Sequence, residues 1–253
     1  MKKILLPLAF LSAASGASDH ANESQYSKDF YTADFLGQVA TLRDLALTDS
    51  LAYDITESLT TEVGPRLGGS ENDAKAVAWG EAKFKALGFD QVTLEPATFA
   101  KWERGVETAE ILAPFPQPLA VTALGKSIPT TKEGITGEVI HFATLADLQA
   151  ADPTLVKGKI TFISNRMSRQ KDGSGYGQAV GARGTAAQVT AAKGGIGTVI
   201  RSIGTDNDRL PHTGAMKHDH DVPTVPAGAL SNPDADLLVN MLKRGKPVSL
   251  KYT

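Results

Sequence analysis

At Ala113 the sequence changes character, and that change constrains the fold more than any other feature. Upstream, apolar residues recur at helical intervals. Downstream of Pro114-Phe115-Pro116-Gln117-Pro118 they come as short runs punctuated by glycine, at 119–124, 135–142, 159–164 and 197–202. Runs this short, bounded by turn formers, predict strands. The proline-rich stretch predicts a rigid connector, so a helix-first module over 34–112 gives way to a strand-rich module over 113–253. Within the second module, 144–151 and 184–193 predict short helices. Segment 234–242 predicts a better one, started by Ser231-Asn232-Pro233 and ended near Gly245, with a closing strand over 248–252. Residues 173–184 are a glycine-rich, low-complexity run, and the stretch 172–177 at its start predicts a flexible loop presenting Tyr176.

The upstream module reads as three helices. Phe35, Leu36, Val39, Leu42 and Leu45 fall at intervals of three and four, and Leu51, Ala52, Ile55 and Leu59 do so again behind Thr48, Asp49 and Ser50. These patterns predict helices over 34–46 and 50–61, the second stopped by Gly64-Pro65 because proline removes a donor and turns its predecessor from helical geometry. The third, over 70–87, has Ser70 as a cap and Gly88 at the left-handed C-terminal position. Short strands are then expected at 92–96 and 105–112, with Trp102 as a packing anchor between them. Residues 18–33 are polar and small, a flexible lead-in with no core of their own.

Lys2 and Lys3, the apolar stretch 4–11 and Ser15-Gly16-Ala17 have the order of a secretory signal peptide over 1–17, cleaved after Ala17. That apolar stretch is too short to span a bilayer, so no stable membrane span is expected after cleavage, and the expected location is periplasmic or secreted. A charged fraction of 21% and a net charge of -2 give no bias toward nucleic acid. With no cysteine, disulfides, thiolate metal sites and a cysteine nucleophile are excluded.

Candidate chemistry is sparse. Of the five histidines, His212, His218 and His220 lie within nine positions, but His218 and His220 would point to opposite sides of an extended chain, and no Glu-flanked helical pair accompanies them. A polar loop with incidental histidines is favoured over a metal site. Asp172-Gly173-Ser174-Gly175-Tyr176-Gly177 has neither a P-loop lysine nor dinucleotide spacing, and no G-x-S-x-G elbow is present. Gly64-Pro65-Arg66-Leu67-Gly68-Gly69-Ser70 places Arg66 at a helix start, where a tight turn accounts for the residue types as well as anion binding does.

The run Leu59-Thr60-Thr61-Glu62-Val63-Gly64-Pro65-Arg66-Leu67-Gly68-Gly69-Ser70 resembles the carboxypeptidase Q (plasma glutamate carboxypeptidase) family of two-zinc metallopeptidases. So do Ala76-Val77-Ala78-Trp79, Leu87-Gly88-Phe89, Ile203-Gly204-Thr205 and Pro211-His212-Thr213-Gly214. The resemblance covers nearly everything after residue 33. It implies an α/β fold: the incomplete N-terminal part of a zinc-aminopeptidase domain, followed by an inserted, β-rich α+β protease-associated domain over 113–253. It implies two zinc ions and a peptide substrate in the complete enzyme. In that family the ligands follow the inserted domain, starting with a His-x-Asp motif, and no such set is found here. No metal or catalytic residue is therefore carried over, no cofactor is expected in this chain, and the chain is expected to be inactive alone. The Tyr176 and His212 loops are the expected substrate-touching parts. The alternative is a non-catalytic secreted interaction module, with a monomer or homodimer as the expected assembly.

Overall fold

The computed structural model describes residues 31–217 and 221–253, so the signal segment 1–17, most of the lead-in, His20, His218 and His220 lie outside the described residues. The described chain is mixed α/β with one eight-stranded sheet, and it divides into two compact units. The first takes in the residues up to Arg66 and Lys75–Val92; the second takes in Leu67–Ala74 and Thr93–Thr253.

The upstream segment forms helices α1 (Ala33–Thr48) and α2 (Leu51–Ser58), a π turn (Leu59–Val63), and α3 (Glu71–Ala86). Thr32 caps α1 by accepting the Phe35 N–H at 3.2 Å, and Gly64, at φ 73°, ends the π turn. The predicted apolar stripe of α1 faces outward: Leu42 and Leu45 are 66% and 60% exposed. Trp79 donates its indole N–H to Ser58 Oγ at 2.9 Å, tying α3 to α2 within the first unit.

The sheet belongs to the second unit. Its strands are β1 (Ala109–Ala113), β2 (Gln117–Leu119), β3 (Val121–Ala123), β4 (Ile135–Phe142), β5 (Ile160–Ile163), β6 (Gly197–Arg201), β7 (Ala227–Leu230) and β8 (Ser249–Tyr252), in the order β2-β1-β8-β4-β5-β6-β7-β3. Strands β4 to β7 run parallel; β8, β1, β2 and β3 join antiparallel to their neighbours. The two edge strands, β2 and β3, are separated only by Ala120, so the sheet curls round until its edges meet in the chain. Ala120 is fixed there by its N–H to Asp234 Oδ2 at 2.8 Å and its carbonyl to Ser231 N at 3.1 Å.

Helices α4 (Leu145–Ala150), α5 (Pro153–Val156), α6 (Gly175–Ala192) and α7 (Asn232–Leu242) complete the unit. One core lies between the sheet and α4 and α6, built from Ile163, Ile200, Leu148 and the alanines 179, 182, 186 and 187. The other packs Phe162, Val199, Leu230 and Leu250 against Leu238 and Met241 of α7.

Several expectations need correction. The strand expected at 92–96 does not form, because Pro96 has no N–H and no ladder partner reaches this segment among the described residues. The 114–118 stretch is no interdomain connector: it turns β1 into β2 within a hairpin, and the expected break at 112/113 falls inside β1. The 172–177 stretch is not a flexible loop, and the helix expected at 184–193 begins earlier: from Gly175 the glycine-rich run is the first half of α6, since burial of its alanines against the sheet outweighs the low helical propensity of its glycines. Strand β7, Ala-Gly-Ala-Leu between prolines, escaped the sequence because it carries none of the β-branched residues that mark strands.

Candidate functional site

Tyr176 sits in the first turn of α6, and Arg183, seven residues on, lies on the same face. Arg183 Nη2 donates to the Tyr176 hydroxyl, and the guanidinium carbon stands 5.5 Å from the ring centroid. The facing segment is the loop after β6, tied to the rest of the unit by several hydrogen bonds. His212 N–H donates to Ser202 Oγ at 2.8 Å, Thr213 Oγ1 to the Ala123 carbonyl at 2.7 Å, Met216 N–H to the Gly125 carbonyl at 2.9 Å, and Lys217 N–H to the Gly184 carbonyl at 2.9 Å. Gly214 meets the arginine: a Cβ there would stand 2.7 Å from Arg183 Nη1 and 2.8 Å from its guanidinium carbon, so the loop backbone lies flush on the cation because position 214 has no side chain.

The two predicted substrate-touching residues are thus on neighbouring elements but do not bond to each other. His212 turns the other way, with Nε2 2.9 Å from Asp206 Oδ1 in a pair formed over Gly204, where any side chain would collide with both. Tyr176 belongs with Arg183. Sequence reasoning missed Arg183 because reading 172–177 as a loop, with the helix starting only at 184, hid the seven-residue spacing that puts the two side chains two helical turns apart.

A second polar cluster stands at the C-terminal ends of the parallel strands, the edge where open α/β sheets commonly hold ligands. His141 Nε2 lies 2.7 Å from Ser164 Oγ and its ring stacks on Phe162. Arg201, 4% exposed, donates Nε to the Ser164 carbonyl at 2.9 Å, Nη1 to the Asn232 carbonyl at 3.1 Å and Nη2 to Asp236 Oδ1 at 2.8 Å. Arg166 adds bonds of 2.6 Å to both Asp236 oxygens. Burial, then the charges of Lys243 and Arg201, hold the His141 pKa below its ordinary value, so its imidazole is neutral near pH 7. Burial pushes the Asp236 carboxyl up, but the bonds and charges of the two arginines outweigh it and leave the pKa below the usual carboxylate range. No carboxylate orients the His141 ring among the described residues, so His141 and Ser164 lack the third group that activates a serine nucleophile.

A cavity of about 690 Å³ opens beside β3, with Trp102, Val106, Val121, Ile128 and Tyr252 among its walls. Trp102 is the anchor its position suggested, donating its indole N–H to the Ser127 carbonyl at 2.9 Å. The Glu107 carboxylate beside it is committed to Arg104 at 2.9 Å and to Ala123 N–H at 2.8 Å.

Among the described residues no group of three or more His, Asp or Glu side chains is placed to hold a metal ion. Asp206 and His212 engage each other, and no zinc-dependent step is assigned to residues of this chain. No helix among the described residues is long and apolar enough to cross a membrane.

No family model matches the chain. Carboxypeptidase Q of Bos taurus is 31% identical over 246 residues, covering 96% of this chain and 51% of the bovine protein. Carboxypeptidase Q of Xenopus laevis is 34% identical over 200 residues, 79% of this chain and 41% of the frog protein. The crystal structure of a peptidase M28 precursor from Shewanella amazonensis superposes with a TM-score of 0.81 at 51% identity, over 84% of this chain and 48% of that one. The chain spans about half the length of the curated relatives it matches. With relatives alike in sequence across nearly its whole length and a solved peptidase alike in fold, the chain belongs to the carboxypeptidase Q-like M28 metallopeptidase family.

Proposed function

We propose that this chain is the N-terminal portion of an exported zinc-dependent exopeptidase that cleaves dipeptides or short peptides, with the zinc-binding residues supplied by polypeptide outside it. On this reading, the sheet-bearing unit is a protease-associated domain inserted into the peptidase domain, and the chain alone is inactive. The enzyme acts outside the cytoplasm, in the periplasm or the medium, in line with the signal-like residues 1–17.

The observation that carries the reading is the way the sheet module begins and ends. Ala109 pairs with Tyr252 across β1 and β8, and Thr253 N–H donates to the Thr108 carbonyl at 2.9 Å. A sheet whose opening and closing strands are neighbours brings the chain in and out at one place, which suits insertion into a surface connection of another domain. The half-length match to carboxypeptidase Q fits the same division of labour. The two roles of a hydrolytic zinc pair, activating water and polarising the carbonyl, find no ligand set among the described residues.

The test is a graft. This chain, fused in place of the corresponding half of the Shewanella amazonensis protein, is expected to give zinc-dependent dipeptide hydrolysis, and the 253-residue chain alone to give none and to retain no stoichiometric zinc after dialysis. Zinc retention with dipeptide cleavage by the chain alone would overturn the reading.

A further inference from the structure

Among the described residues, Arg183 is the half-buried arginine whose charge meets no carboxylate. Arg104, Arg166, Arg201 and Arg209 each face a carboxylate at 2.6 to 2.9 Å. Arg183 has none among the described residues, and its Nε is fully buried without a hydrogen-bond partner. Leaving a partly desolvated guanidinium short of acceptors is costly, and the surroundings make the shortage greater. The Lys217 side chain runs along α6 at Gly184, its Cδ 3.6 Å from where a Cβ would be, and it too forms no ion pair among the described residues. The Tyr176 hydroxyl accepts from Arg183 through its oxygen, which leaves its own proton to donate. A guanidinium and a phenolic O–H, both donors, are therefore joined on α6, the Lys217 stem lies beside Gly184, the residue after Arg183, and the backbone of Gly214 is pressed against the guanidinium.

We infer that Tyr176, Arg183 and Lys217 form a carboxylate-binding site that takes the free C-terminal carboxylate of a short peptide. A planar guanidinium matches a carboxylate through parallel N–H bonds, and the phenol and ammonium supply directional and charge complementarity beside it. The choice of a peptide carboxylate over another anion rests on the exopeptidase reading: an enzyme that removes terminal residues from short peptides must sense a chain end, and this cluster is chemically suited to the acidic end. Arg183 and Tyr176 act here in binding and are assigned no part in bond cleavage.

The experiment uses the 253-residue chain and follows the backbone amide signal of Gly214 by NMR while acetyl-alanyl-alanine, its C-terminal amide, or inorganic phosphate is added. The free acid is expected to shift the Gly214 signal saturably, and the amide to bind at least about tenfold more weakly, the cost of losing a charge-assisted hydrogen bond. Arg183→Gln is expected to abolish the shift. Tyr176→Phe, which keeps the ring and removes only the hydroxyl, is expected to weaken it several-fold and settles the matter if Arg183→Gln fails to fold. Equal binding of acid and amide, unchanged binding by either variant, or tighter binding of phosphate than of the free acid would each overturn the assignment. The graft described above separates the two ideas: acid-selective binding with a hydrolytically dead graft leaves the site standing and removes the exopeptidase reading, whereas an active graft with no acid selectivity does the reverse.

Discussion

Removing the Asp236 carboxylate should cost the sheet-bearing unit about 2 kcal/mol, and the cost should fall when Arg201 is removed with it. Arg201 is 4% exposed and has three acceptors: the carbonyls of Ser164 and Asn232 and one oxygen of Asp236. Asp236→Ala leaves the guanidinium buried with only neutral acceptors. Breaking a fully buried ion pair costs about 3–5 kcal/mol. Asp236 is itself 42% exposed, so water replaces part of what it supplied, and the figure is discounted to about 2 kcal/mol. In Asp236→Ala/Arg201→Met the buried guanidinium is gone and an apolar side chain of similar length takes its place; the double variant should unfold within about 1 kcal/mol of the parent. The assay is urea denaturation followed by Trp102 fluorescence in a Trp79→Phe background, so that the signal comes from the sheet-bearing unit alone. A loss below about 0.5 kcal/mol for Asp236→Ala, or a double variant less stable than the single, would refute the claim that the carboxylate's task is to neutralise a buried guanidinium.

The remaining predictions follow from single contacts. The folded-state pKa of His141 lies below its unfolded value, so its contribution to stability is fully present above about pH 6.5 and is lost as the pH falls; the unfolding midpoint should drop on acidification from pH 7 to 5, and His141→Gln should flatten that slope. Gly134→Ala should destabilise the unit by about 2–4 kcal/mol, since Gly134 has φ 78° and a Cβ there would stand 2.7 Å from the Tyr252 carbonyl oxygen; a thermal midpoint equal to the parent's would contradict this. Leu42→Glu with Leu45→Glu should leave helix content by circular dichroism unchanged and reduce binding of a hydrophobic dye, because both side chains are exposed; a loss of helix would show that they support α1 instead.

The elements that the sequence made legible are those whose own residues decide them. Helix α1 carries a three-four repeat and Thr32 as its cap, α7 opens on Ser231-Asn232-Pro233, and β4 was placed at its observed bounds as a short apolar run punctuated by glycine. Resemblance carried the family assignment, because long runs such as 59–70 survive where spacing alone is mute. The functional cluster was half legible: Tyr176 stood out as an aromatic in a glycine-rich run, but its partner Arg183 became a partner only once that run was helical.

What tertiary structure alone decided were the elements whose reasons lie elsewhere in the chain. The glycines at 175, 177, 181 and 184 have a low intrinsic claim on helix, and it is burial of Ala179, Ala182 and Ala186 against the sheet that makes a helix of this run. Strand β7 is a strand because β6 and β3 flank it, and β1 belongs to the downstream module because β8 returns beside it nearly 140 residues later. An unpaired charge is likewise invisible in a sequence with acids on every side. Only the fold sets the Gly214 backbone against Arg183 and leaves its buried Nε without a hydrogen-bond partner, and so marks this cation as one to seek its partner in a ligand.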